Sequence, residues 1–263
     1  MTETLHPFDD ASVAAWVRVV AGGEDPEAMI PGGGAWAARL AARARQGYTL
    51  ALGGSEPGAN ALTFGLAQAL STRYPVFVLP GASLTPWEAR IDRGAGMLLR
   101  PPARMFGDAG LASPAARAMP IRLDPSMSMM GGSHVPARLV PQLKAQLEER
   151  EAKLLRRMIE AEMDAVPIYS TLLDAVTYAA ERGLGLFEAV DVIVPEAPEA
   201  TPPGAVVIVP DRKRMPKDLR HRLDEAAKPP KPPGLLSRLL GRSRGADAPP
   251  GFGPDHHGRG PSD

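Results

Sequence analysis

The sequence predicts an α/β protein with a mixed, mostly parallel sheet flanked by helices, and three observations support this. Segments with a helical apolar pattern alternate with short apolar runs, as in an α/β layer. The runs at 192–194 and 206–209 consist almost entirely of Val and Ile, which is typical of strands buried on both faces. Residues 48–81 read as strand, glycine turn, helix and strand, which predicts a Rossmann-like βαβ unit.

The chain is expected to start with a flexible segment at 1–7, followed by one α/β domain at 8–226. Asp9 and Asp10 are suited to cap a first helix, which Gly22 and Gly23 end. A second helix is predicted at 35–46.

The Rossmann-like unit contains the one predicted ligand site. A strand at 50–52 stops at a glycine turn, and the following helix leads to a strand at 76–79. Such a turn exposes backbone N–H groups at the positive end of the helix dipole, which favours an anion. The predicted site residues are Gly53, Gly54, Ser55, Glu56, Gly58 and Asn60.

A purely structural interpretation of the same turn stays open, because glycine also permits positive φ angles and close packing. The turn matches neither GxxxxGK[ST] nor GxGxxG, and no lysine follows it to reach a phosphate.

The segment Leu50 to Gly81 is similar to Rossmann-like nucleotide binders that include DNA-processing and lysine-decarboxylase-like proteins. Those proteins have a strand, a Gly-rich turn and a second strand that ends in Pro-Gly, as at Pro80-Gly81. The likeness is confined to this segment, and the later motifs of those families are not visible.

Residues 82–135 form a Pro-, Gly- and Met-rich connection, with short strands predicted at 97–99 and 121–123. Its MSMMGGSH stretch carries soft thioethers and one imidazole, a ligand set for Cu(I). Methionine more often fills irregular gaps in a core, so no metal site is predicted, and the cofactor is unknown.

Helices are predicted at 136–165 and 170–182, followed by the two Val/Ile strands. These strands end at Pro195-Glu196 and Pro210-Asp211. If they are parallel to the strand at 76–79, Glu196 and Asp211 lie at the same sheet edge as the glycine turn and could contact a metal or a ribose. The alternative is that proline simply ends each strand.

Residues 227–263 are predicted to be a disordered, basic, Pro-rich tail. Segment 211–244 holds eleven Lys or Arg against four Asp or Glu, a charge that suits contact with an anionic membrane or nucleic acid. Cysteine is absent, which excludes disulfides and Cys-ligated metals. No secretory signal or long apolar run is visible, so a cytoplasmic protein is expected.

Two functions follow from these observations. The first is a small-molecule or nucleotide-phosphate binder that uses the glycine turn for a phosphorylated compound. The second is a non-enzymatic interaction or scaffold protein that docks a protein partner through the helix at 136–165 and the basic tail. Catalytic residues are unknown, since no GxSxG elbow or nucleophile–base pair is visible, and catalysis is the less favoured expectation.

Overall fold

The computed structural model describes residues 1–124, 126–127, 129–195 and 201–211. The strands are β1 Glu3–Phe8, β2 Val76–Val78, β3 Met130–Val135, β4 Gly185–Val190 and β5 Val207–Ile208. The helices are α1 Asp10–Val17, α2 Gly34–Leu52, α3 Glu56–Ser71, α4 Leu84–Arg90, α5 Pro102–Asp108, α6 Ser113–Arg117, α7 Val140–Glu149, α8 Glu151–Glu160 and α9 Ala165–Arg182. The structure therefore confirms an α/β protein with a mixed sheet.

The sheet has the strand order β3-β4-β1-β2-β5. Among the described strands, β1 pairs antiparallel with β2 and β4, β3 pairs antiparallel with β4, and β2 and β5 are parallel. The prediction of a mostly parallel sheet is wrong, because the strands at 3–8, 130–135 and 185–190, which the sequence pattern does not reveal, make the antiparallel pairs.

The expectation of a flexible segment at 1–7 is also wrong. Strand β1 lies between β4 and β2, and each of its six residues is buried. Its register with β4 runs from Glu3 opposite Val190 to Phe8 opposite Gly185. Because ETLHPF contains three polar residues and a proline, its sequence does not reveal a strand that is covered on both faces.

Helices pack on both faces of the sheet. One apolar core joins α1, α2, α3, α5 and α6 to the strand residues Val76, Phe187 and Ala189. The other core joins α4, α7, α8 and α9 to Leu5, Phe77 and Leu186. Neighbouring residues of one strand thus point into different cores, as the alternation of side chains along a strand requires.

The predicted strand at 50–52 is the end of helix α2, so the Rossmann-like βαβ interpretation of 48–81 is not supported. The unit is helix, turn, helix and strand. Leu50 and Leu52 are 51% and 42% exposed, whereas a buried strand would cover both. A short apolar run is ambiguous between a strand and a helix end, and here the apolar face of α2 continues through Ala44, Gly47 and Ala51.

Of four further predicted strands, three are absent and one is present. No strand forms at 97–99 or 121–123, although Arg100 pairs with His134 through two backbone hydrogen bonds. The run at 192–194 lies after β4 and is not a strand; Asp191, with φ 51°, follows the end of β4. The strand predicted at 206–209 is present as β5.

The helix predicted at 136–165 is divided into α7 and α8 at Arg150, which has φ −109° and ψ 9°. No helix-breaking residue marks this point, so the pattern could not place the break. Helix α9 confirms the one predicted at 170–182 and begins five residues earlier; Gly183 ends it with a φ of 63°. Glu196, residues 212–244 of the basic segment and the tail at 227–263 lie outside the described residues.

Candidate functional site

The Gly53–Gly58 turn connects α2 to α3, and its backbone donors are already used. The N–H groups of Gly53 and Ser55 donate to the Leu50 carbonyl at 3.0 and 3.2 Å, and that of Gly54 donates to the Ala51 carbonyl at 2.9 Å. Gly54 has a φ of 86°, a conformation that favours glycine. These glycines close the end of a helix and leave few donors for an anion.

The start of α3 is capped internally. Ser55 Oγ accepts a hydrogen bond from the Gly58 N–H at 3.2 Å, and the Ser55 carbonyl accepts from the Ala59 N–H at 3.0 Å. Pro57 has no N–H group to offer, and Glu56 adds an exposed carboxylate. Asn60 is buried, and its Oδ1 makes no hydrogen bond with another described residue.

Gly58 has a packing role. A Cβ atom on Gly58 would lie 2.6 Å from the Gly47 carbonyl oxygen, and one on Gly47 would lie 2.8 Å from the Gly58 carbonyl oxygen. Helices α2 and α3 therefore cross with their backbones in close contact. This contact gives the glycine a reason to be present without any ligand.

Asp211 follows β5, and Pro210 lies beside Pro80 and Gly81 in a depression of about 410 Å³. The parallel pairing of β2 and β5 puts these two strand ends at one edge of the sheet, as the sequence suggested. The glycine turn does not line this depression. The structure thus brings together the strand ends but not the turn.

The MSMMGGSH stretch leads into β3, which sequence analysis missed because two glycines and two polar residues resemble a loop. Met127 and Met129 are partly exposed, whereas Met130 and His134 are buried. Within the described part of the chain, no three His, Cys, Asp or Glu residues are grouped so that they could hold a metal ion.

His134 borders a concave site, which we call the His134 cleft. It has a volume of about 450 Å³ and lies between α1, α5 and the end of β3. Phe8, Val13 and Met105 supply apolar walls. The rings of His134 and Phe8 meet edge to face with centroids 5.9 Å apart, which orients the imidazole.

Four charged residues also line the His134 cleft: Asp10, Arg104, Asp108 and Arg138. All four are exposed, and none forms an ion pair with another described residue. Arg104 and Asp108 are one turn apart on α5. The cleft therefore combines an apolar wall with charges that are available to a ligand.

The imidazole of His134 is only 4% exposed. Its pKa is lowered to about 4, mainly by burial; a hydrogen bond with the Arg100 backbone acts in the opposite direction, and the charges of Arg100 and Arg104 assist the lowering. His134 is consequently neutral at physiological pH and can hydrogen bond without changing the charge of the cleft.

A buried carboxylate lies on the other face of the sheet. Glu188, on β4, accepts hydrogen bonds from the N–H and the hydroxyl of Thr85 and from the Ser133 N–H, the two N–H bonds measuring 2.8 and 3.0 Å. Burial raises its pKa, and these hydrogen bonds lower it in part. The sequence signal for this group is a lone Glu inside the apolar run LFEAV.

A second carboxylate on this face binds the segment that leads into α4. Glu3 Oε2 accepts a hydrogen bond from the Gly81 N–H at 2.7 Å, and the Glu3 carbonyl accepts from the Leu79 N–H. Glu3 and Glu188 thereby fasten the connection between β2 and α4 to the sheet. None of the described clefts is lined by either carboxylate, so we assign them a structural role.

Comparison of the chain with protein families, curated proteins and solved structures finds no match. A search of the described helices for one long and apolar enough to cross a membrane also finds none.

Proposed function

We propose that this protein binds a small organic molecule that carries a carboxylate or phosphate group, and that the molecule occupies the His134 cleft. The observation that carries the proposal is a concave site, walled by apolar side chains, in which the guanidinium groups of Arg104 and Arg138 form no ion pair with any described residue. The cleft volume is within the range of ligand sites. The proposed ligand class includes the phosphorylated compound expected from the sequence, but the proposed site is the His134 cleft and not the glycine turn.

The chemistry of the lining determines which compounds suit it. Arginine donates paired N–H groups to planar carboxylates and to phosphates. Asp10 and Asp108 balance these charges, so the lining favours one anionic group on a mainly neutral or zwitterionic molecule over a polyanion. Neutral His134 adds a hydrogen-bonding ring that keeps its state above a pH of about 4.

The experiment is a thermal-shift screen with carboxylic acids, amino acids and phosphate monoesters. A ligand that binds only the folded chain raises the melting temperature by mass action. We expect Arg104→Ala and Arg138→Ala each to weaken binding about tenfold, since each removes a charge-assisted hydrogen bond.

Arg156→Ala is the matched control, because Arg156 is exposed on α8 and does not line the His134 cleft. It should bind like the wild type. If no compound in the panel shifts the melting temperature, or if the Arg104 and Arg138 variants bind as tightly as the control, the proposal fails.

The alternative of a non-enzymatic interaction protein stays a prediction. Its proposed docking helix at 136–165 is divided at Arg150, and residues 212–244 of its basic segment lie outside the described residues. Contact of segment 211–244 with an anionic membrane or nucleic acid stays a prediction in the same sense.

A further inference from the structure

A second concave surface, which we call the Trp36 groove, lies between α2, α3 and the segment after β4. Its volume is about 570 Å³, and Trp36, Arg39, Arg43, Phe64, Gln68 and Asp191 are among its lining residues. None of these residues belongs to the His134 cleft. The two sites can therefore be tested separately.

Two cations on α2 face this groove one helical turn apart. Arg39 and Arg43 are exposed, and neither makes an ion pair with a described residue. The Arg43 guanidinium carbon lies 5.3 Å from the centroid of the Phe64 ring, a cation–π contact that limits its movement. Residues at i and i+4 lie close together on a helix surface, so one phosphate can receive donors from both guanidiniums.

One amide in the same groove makes no hydrogen bond with a described residue. It belongs to Gln68, which is 8% exposed as a whole residue. Its amide atoms are not fully enclosed and the residue lines the groove, so a ligand there can reach them. A ligand that offers both a donor and an acceptor would satisfy the amide.

An aromatic surface completes the groove. Trp36 is partly exposed, whereas Trp16 and Trp87 are buried in the two cores. Trp36 is one turn before Arg39 and Leu40 on α2, so its indole borders the region that the two arginines reach. A flat ring can lie against this indole while an attached anion contacts the arginines.

We infer that the Trp36 groove binds a small anion that carries a flat heteroaromatic ring, of the chemical class of a nucleoside monophosphate. The phosphate contacts Arg39 and Arg43, the ring lies against Trp36, and Gln68 hydrogen bonds with the polar edge of the ring. Asp191 also borders the groove, but its Oδ1 accepts a hydrogen bond from the Thr2 N–H at 2.7 Å, which moderates its repulsion of an anion.

Tryptophan fluorescence tests this inference directly, because Trp36 is the partly exposed indole among three. The full chain is titrated with adenosine monophosphate, adenosine and inorganic phosphate, with excitation where adenine does not absorb. We expect saturable quenching by the monophosphate, which Trp36→Phe abolishes. Adenosine and inorganic phosphate should each bind at least about tenfold more weakly, since each makes only part of the contacts.

A second double variant with the same change of charge, at arginines that line neither concave site, provides the matched control. Arg39→Ala/Arg43→Ala should weaken binding of the monophosphate at least about tenfold, whereas Arg117→Ala/Arg156→Ala should leave it unchanged, because both of these arginines are exposed on other helices. Gln68→Ala should weaken binding of the monophosphate but not of inorganic phosphate.

Absence of saturable quenching overturns the inference, as do equal losses in the two double variants. Equal affinity for inorganic phosphate and the monophosphate also overturns it, because the site would then be only an anion site. The outcome for the His134 cleft is independent, since its ligands are followed with Arg104 and Arg138 variants.

Discussion

On one face of the sheet, Glu188 accepts three hydrogen bonds from Thr85 and Ser133, and the helix layer of α4 is fastened to β4 through them. On the other face, His6 and His134 lie on either side of Phe187 in neighbouring strands, and burial lowers the pKa of both. The His6 Nδ1 has no hydrogen-bond partner in the part of the chain that the structure describes. This sheet thus accommodates a buried carboxyl group by surrounding it with donors, and accommodates buried imidazoles by keeping them neutral.

The sign of the pH dependence differs between the two faces. The raised pKa of Glu188 means that the folded chain holds its proton more tightly, so the part of the stability that depends on its protonation is present at low pH and is lost as the pH rises through the raised pKa. The lowered pKa values of His6 and His134 give a contribution that is present above pH 6.5 and is lost as the pH falls towards about 3 to 4.

The largest expected effect is that of Glu188→Ala. It leaves two N–H groups and one hydroxyl without an acceptor in a buried place, and should lower the free energy of unfolding by about 3 kcal/mol. Chemical denaturation at neutral pH measures this. Glu181→Ala, at an exposed ion pair on α9, is the control and should change the value by less than about 0.5 kcal/mol. Equal effects of the two substitutions would mean that the hydrogen bonds of Glu188 do not contribute measurably to the free energy of unfolding.

Acid should lower the free energy of unfolding mainly through the two buried histidines, on the face of the sheet opposite Glu188. Between about pH 6 and pH 4.5, the unfolded chain binds protons at His6 and His134 that the folded chain excludes. Each histidine then lowers the free energy of unfolding by about 1.4 kcal/mol per pH unit. His134→Gln should reduce the slope by that amount relative to the wild type. If this slope of the free energy of unfolding against pH is unchanged in both His134→Gln and His6→Gln, the two faces do not differ in pH dependence as proposed.

The next expected effect separates the donors of Glu188. Thr85→Val keeps the shape and the backbone N–H but removes the hydroxyl donor, so it should lower the free energy of unfolding by about 1.5 kcal/mol and raise the pKa of Glu188 further. The pKa can be followed by NMR of the carboxyl carbon. A pKa unchanged from the wild type would show that the hydroxyl is not a donor to this carboxylate.

The smallest expected effect is that of Ser133→Ala. Ser133 binds Glu188 through its backbone N–H, which the substitution keeps, and its hydroxyl is 3.4 Å from the Thr85 hydroxyl. The free energy of unfolding should therefore fall by no more than about 0.5 kcal/mol. A loss as large as that of Thr85→Val would show that the serine hydroxyl is an essential member of the cluster.

The sequence is sufficient to predict an element where one periodicity of apolar residues dominates. The helices capped by Asp9 and ended by Gly183, and the strand at 76–79, were predicted because caps and apolar runs agree there. It was insufficient for β1, β3 and β4. Their buried polar residues, such as His6 and Glu188, look like surface residues until the donors and helices that cover them are known.

The candidate site was also hard to predict from local sequence. The composition of the glycine turn predicts an anion site, but its N–H groups are used within the turn and its glycines serve helix packing. The His134 cleft and the Trp36 groove assemble residues from separate parts of the chain. No local sequence motif predicts such a site, because Arg104, Arg138 and His134 become neighbours only through the fold.

The central position of β1 has a consequence for the order of folding. Its main partner is β4, and the hydroxyl of Thr4 donates to the carbonyl of Ala189, 185 residues further along the chain. During synthesis the first strand must wait until almost the whole domain has emerged before its sheet can close. Pairing over such a separation slows folding and leaves an open strand edge exposed in the meantime. We therefore expect refolding to be slow and to lose yield to aggregation as protein concentration rises.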